Sequence, residues 1–183
     1  MVEIQTGLIV RTRSMNRNQT GFSLLELMIV IGLTSVVVAG ITVAIMGVFN
    51  MDARTRNDMT AVYQVRQAGK LVRYDVLQAQ SVSALGTEGF PLILTWTDWS
   101  AGDSHEVIYT LGDMPSGEFK RLLRSESIND GVPTVKPVAE YIDPDGTSCD
   151  WDEVDRVLDF TVTATVGGQS ETREEHVQPR SGS

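Results

Sequence analysis

From Phe22 to Phe49 the chain runs for 28 residues with a single charged side chain, Glu26. A helix of that length, at about 1.5 Å rise per residue, is longer than a hydrocarbon core of roughly 30 Å is thick. No soluble domain of ordinary size leaves such a segment in water, so it must be covered by lipid or by other protein. This constrains the rest of the 183 residues, which have room for one soluble domain carried on an anchor. Orientation does not follow from the flanking charges, because Arg11, Arg13 and Arg17 on one side face Arg54, Arg56 and Arg66 on the other.

Beyond the apolar run, Ala61, Val65, Ala68, Val72, Val76 and Ala79 recur at three- and four-residue steps, the spacing of one buried helical face. No proline interrupts the chain between Phe49 and Ser83, so the spacing predicts one continuous helix from about Phe22 to about Ser83, apolar all round at first and amphipathic afterwards. ALGTEGFP breaks it, and short strands follow, at Leu92 to Trp99, Glu106 to Leu111, Phe119 to Arg124, Val135 to Ile142, Val157 to Val166 and near Thr172 to Val177. VLDFTVTATV alternates apolar and polar residues, as a half-buried strand does. The connections are too short for parallel crossovers, so the expected fold class is α+β, with an antiparallel sheet packed on the second half of the helix. The expected divisions are a leader over 1–21, an apolar helix over 22–49, its amphipathic continuation over 50–83, a sheet domain over 84–177 and a tail over 178–183.

Charge narrows the partners. The chain carries a net charge of −9; residues 1–21 contribute +2, leaving −11 for the remainder. An acidic domain of this kind lacks the basic footprint that phosphate binding needs, so no direct nucleic-acid contact is expected. The lone cysteine, Cys149, excludes an internal disulfide.

An ionised carboxylate costs about 2.5 to 3.5 kcal/mol at the centre of a membrane helix and less near its end. Glu26 lies near the end, so physics alone leaves two readings open: a tolerated interfacial acid, or an acid with a task. A secretory signal cut after SVVVAG fits poorly with an acid so early in the apolar stretch. The local pattern is more specific: basic and polar residues, then Gly21, then GFSLLE running into LMIVIGLTSVVVAG. This resembles the processing site of type IV pilins and type II secretion pseudopilins. The resemblance implies that a prepilin peptidase cuts after Gly21, that Phe22 becomes the methylated amino terminus, and that Glu26 serves assembly. Phe22 keeps a positive amino group that Glu26 of a neighbouring subunit can neutralise. It further implies a non-enzymatic structural subunit, loosely similar to PilW-like minor pilins or J-type pseudopilins. Its partners would be prepilin peptidase and other pilin or pseudopilin subunits. It would be held in the bacterial inner membrane as a single-pass precursor before joining a pilus or periplasmic pseudopilus. Starting at Met15 would give MNRNQTG, a leader closer to the family's usual length. The proline that many major pilins carry partway along this helix is absent.

Gly32, Gly40 and Gly47, at steps of eight and seven, fall within about 80° on a helix. They form a small-residue stripe, either ordinary membrane-helix glycine or a surface for close helix packing. YIDPDGTSCDWDEVD offers Asp143, Asp145, Asp150 and Asp152 as Ca²⁺ candidates, against the simpler reading of a solvated acidic loop; the spacing is not that of an EF-hand. No other cofactor is expected. His105 and His176 have no metal-ligand spacing and are expected at the surface. If their strand is regular, Trp96 and Trp99 face opposite ways, one toward the core and one toward a contact. The rival to a filament subunit is a signal-anchored periplasmic sensor or hydrolase, although no GxSxG motif is present.

Overall fold

The computed structural model describes Gly21 and residues 23–180. Residues 1–20, with Met15 and most of the leader, as well as Phe22 and the last three residues of the tail, lie outside the described residues. The chain divides into two compact units, Met1–Gly47 and Val48–Ser183. One unbroken helix, α1 (Leu24–Gln78), contributes to both.

In the first unit α1 is exposed all round, from Leu24 at 77% to Met46 at 61%. Its polar side chains are held within the helix. The hydroxyls of Thr34, Ser35 and Thr42 donate to the carbonyls of Ile31, Gly32 and Val38 at 3.0, 2.8 and 2.8 Å. Such back-bonding leaves no hydroxyl seeking water, the condition a lipid-facing helix must meet. Among the described residues this is the one helix long and apolar enough to cross a membrane.

In the second unit α1 buries Ala61, Val65, Ala68, Gly69, Val72, Asp75 and Val76. The apolar members of that face belong to the stripe the periodicity predicts, and from Val65 onward they pack with strand residues into one core. Eight antiparallel strands form the rest: β1 (Ser81–Ala84), β2 (Leu92–Asp98), β3 (Asp103–Asp113), β4 (Lys120–Ile128), β5 (Thr134–Ile142), β6 (Ser148–Asp152), β7 (Val157–Val166) and β8 (Gln169–Val177). The sheet order is β1-β2-β3-β4-β5-β7-β6, with β8 also paired to β7. The α+β class is as expected.

Two expectations need correction. The helix stops at Gln78, and Ser81–Ala84 form an edge strand whose residues pair with β2 from Ser81↔Thr95 to Ala84↔Leu92. The amide of Gln80 already donates to the Thr95 carbonyl at 2.8 Å. Ser81 and Ser83, with the β-branched Val82 between them, hold a helix weakly, and the sheet edge offers their backbone groups better partners. The second correction is β6, which lies inside a segment that reads as a turn. Its Cys149 is buried and Trp151 half-buried while Asp150 and Asp152 face outward, an alternation hidden by the density of acids.

β5 and β6 act as one interrupted strand along β7. Ile142 pairs with Ala164, and the ladder resumes at Ser148↔Thr161. Between them side chains stand in for missing backbone partners: the Thr163 amide donates to the buried Thr147 hydroxyl at 3.1 Å, and the Thr163 hydroxyl donates to the Gly146 carbonyl at 2.8 Å. The outer edge of β6 lies against the short turn Thr87–Gly89. Gly89, at φ +73°, sits so close that a Cβ there would strike the Cys149 carbonyl, so both backbone angle and space demand glycine.

Candidate functional site

Gly21 is exposed and precedes α1; Glu26 lies in the helix's first turn and is exposed. Leu27 donates its amide to the Ser23 carbonyl at 3.1 Å, so Ser23 occupies the position before the first helical residue. Ser23 and Glu26 therefore have the S-x-x-E spacing of a capping box, a signal that sequence reading alone can find. No side-chain hydrogen bond closes that box among the described residues, and Glu26 keeps its oxygens free of described partners. A carboxylate in a first turn is also favoured by the helix dipole. Phe22 lies outside the described residues, so its spacing to Glu26 is not described.

Gly32, Gly40 and Gly47 are exposed on α1, and within this chain a Cβ at any of them would meet nothing within 4 Å. The chain's own fold does not require glycine at these positions.

The acidic candidates are not gathered. Asp143 and Asp145 lie in the turn between β5 and β6, where the Asp143 carboxylate accepts the Asp145 amide at 3.1 Å. Asp152, at the end of β6, accepts the amides of Val154 and Asp155 at 2.7 and 3.0 Å, and Asp150 stands exposed in β6 opposite Asp159. The oxygens of Asp143 and Asp152 serve local turns. Among the described residues no group of three or more His, Cys, Asp or Glu is arranged to hold a metal ion.

The structure also contains a cluster that sequence reasoning missed. Asp75 is 1% exposed, on the buried face of α1 between Val72 and Val76. It accepts the Tyr109 hydroxyl at 2.5 Å and two nitrogens of Arg124 at 2.7 and 3.2 Å. Arg124 also donates to Glu126 at 2.7 Å. Burial opposes the charge on Arg124, but its hydrogen bonds to Asp75 and Glu126 outweigh that and raise its pKa. Burial, then the charge of Asp75, pushes the Tyr109 phenol up, so it remains a donor. Arg124 holds the Glu126 carboxyl below its ordinary value. The cluster ties the end of α1 to β3 and β4. Partners 34 and 49 residues apart along the chain leave no local signal.

His105, expected at the surface, is only 18% exposed. It faces Trp96 across the β2–β3 ladder and stacks on it, with ring centroids 5.1 Å apart and planes within 4°. That cross-strand pair removes it from water. His176 is exposed and pairs with Asp159 opposite it on β7. β2 ends at Asp98, which places Trp99 in the following turn at 83% exposure. Cys149 is a free, buried thiol whose pKa is pushed up by burial, which suppresses the reactive thiolate.

The exposed apolar stretch of α1, long and apolar enough to cross a membrane, follows a glycine-ended lead-in. Residues 16–42 match the prokaryotic N-terminal methylation motif. This motif supports the resemblance of the lead-in and the start of α1 to type IV pilins and pseudopilins. The match spans the lead-in and the start of α1 and does not extend to the sheet. No curated protein and no solved structure matches the chain.

Proposed function

We propose that this protein is a minor pilin or pseudopilin, cleaved after Gly21, methylated on Phe22, and moved from the inner membrane into a type IV pilus or a secretion pseudopilus. The observation that carries the reading is the methylation motif running directly into a helix whose first, apolar stretch is exposed all round, with Glu26 the only charge in that stretch. In the membrane, Glu26 near the helix end is a tolerable cost. In a filament, it neutralises the amino group of Phe22 on the adjacent subunit. A paired charge in apolar surroundings adds little stability but can fix register. Gly32, Gly40 and Gly47 give neighbouring helices room for close approach.

Intact mass and amino-terminal sequencing of the membrane-extracted protein, with and without prepilin peptidase, test this reading. A terminus at methylated Phe22 that depends on the peptidase is expected. An uncut chain, or one ending its leader after SVVVAG, would replace the filament subunit with an anchored or secreted periplasmic domain.

A further inference from the structure

The side of α1 turned away from the sheet carries a second stripe. Met59, Tyr63, Arg66, Lys70, Tyr74 and Leu77 follow one another at steps of three and four residues, and at 3.6 residues per turn they fall within about 80° of one another. All six are exposed, with 68% at Met59, 62% at Tyr63, 60% at Tyr74 and 45% at Leu77. Scattered singly, such residues would need no explanation. Aligned along one side of a helix, they form a ridge.

The middle of the ridge is positive and bare. Arg66 and Lys70 stand one helical turn apart, a like-charge spacing that weakens a helix slightly. No acid lies three or four residues from either, and among the described residues neither enters an ion pair, although residues 79–183 carry 19 acidic side chains against seven basic ones. Arg73, the next base along, reaches Glu175 instead, at 3.5 Å. The fold gains nothing from these two charges, yet it holds them between Tyr63 on one side and Tyr74 on the other. Tyrosine, methionine and arginine are residues that protein interfaces concentrate.

The pattern also selects the partner. A ridge with three- and four-residue steps packs into the grooves of another helix. A second copy presenting the same ridge is disfavoured, because parallel pairing sets Arg66 on Arg66 and Lys70 on Lys70, and antiparallel pairing sets Arg66 on Lys70. A helix with carboxylates at its centre and apolar side chains toward both ends matches the whole ridge.

We infer that the outward face of α1 from Met59 to Leu77 is the docking surface for a helix of a different protein, one that brings carboxylates to Arg66 and Lys70 and apolar side chains to the residues on either side. The inference does not depend on cleavage after Gly21 or on filament growth, because this face lies beyond the apolar stretch and is present in the uncut chain.

The test uses the full chain in its native membranes, with and without prepilin peptidase. A water-soluble carbodiimide links Lys70 Nζ to a carboxylate in direct contact, and a photoreactive benzoylphenylalanine in place of Tyr63 captures its neighbour; both adducts are mapped by mass spectrometry. They are expected on one helical segment of one other protein, with Lys70 joined to an aspartate or glutamate of that segment. Arg66→Glu combined with Lys70→Glu should cut the yield of the photo-adduct about tenfold or more, and changing the mapped carboxylates to lysine should restore it. Adducts on a second copy of this chain or on a strand overturn the inference, as do a photo-adduct unchanged by the charge reversal and the absence of any adduct. Because Arg66 and Lys70 are exposed, the double variant should melt with the wild type, which separates lost docking from lost folding. Adducts that form without leader removal would sustain this inference even where the filament reading fails.

Discussion

The two stretches of α1 share a secondary structure and differ in everything that decides its surroundings. From Leu24 to Gly47 the side chains are apolar on every side, exposed, and self-satisfied where they carry hydroxyls. From Val48 to Gln78 one face is buried and the other is charged and solvated. Helix formation is common to both; the pattern of side chains assigns one stretch to an external apolar medium and the other to the protein's own sheet. One carboxylate from each stretch shows the same division. Glu26 is left without a described partner, whereas Asp75 is saturated by Tyr109 and Arg124.

The sharpest way to break this comparison is to remove each acid in turn. Asp75→Ala leaves Arg124 and Tyr109 without their buried acceptor and should cost about 3 to 5 kcal/mol, visible as a large fall in Tm of the sheet domain. Glu26→Ala should leave that Tm unchanged while abolishing incorporation into filaments; retained incorporation would end its proposed role in assembly. Next in size, Leu94→Ala in the fully buried core should cost about 2 to 5 kcal/mol by equilibrium denaturation, whereas Val37→Ala, exposed on the apolar stretch, should change the same transition by less than about 0.5 kcal/mol.

A smaller effect comes from acid. Arg124 lowers the folded-state pKa of Glu126 below its ordinary value of 4.5. The stability this supplies is present above that ordinary value and is lost as pH falls through the depressed one. Stability measured from neutral pH downward should therefore decline more steeply in the wild type than in Glu126→Gln; parallel curves would show that the pair contributes nothing. Smallest is Gly69→Ala. A Cβ there would meet the end of the Arg173 side chain at 2.7 Å, which can move aside, while alanine favours the helix. The net change should stay within about 1 kcal/mol of zero, and a larger loss would mean Arg173 is held in place.

Much of this fold was legible because its signals are local. The helical face from Ala61 to Val76 and the alternation of VLDFTVTATV each need only a short window, and β7 occupies Val157–Val166 as that alternation predicts. The methylation motif is likewise contiguous. What escaped reading depends on distance or on competition. Asp75 looks like an ordinary polar break in an apolar stripe until Arg124 is placed against it. Ser81–Ala84 extend a helical pattern until β2 supplies better partners. The acids around Cys149 and Trp151 announce a turn and conceal β6. His105 and Trp99 could not be placed before the end of β2 was known. The sheet domain carries no contiguous motif, so no local window of sequence announces its task.

The hydroxyls of Thr34, Ser35 and Thr42, each closed onto a carbonyl of its own helix, make the apolar stretch nearly indifferent to which oily phase surrounds it. Passing from lipid to a protein interior would break none of those bonds and would desolvate no polar group along that stretch. The transfer free energy then reduces to dispersion contacts and to the surroundings of one carboxylate. A helix built this way can change solvents without refolding, and Glu26 is the one charge along it whose surroundings such a move would alter.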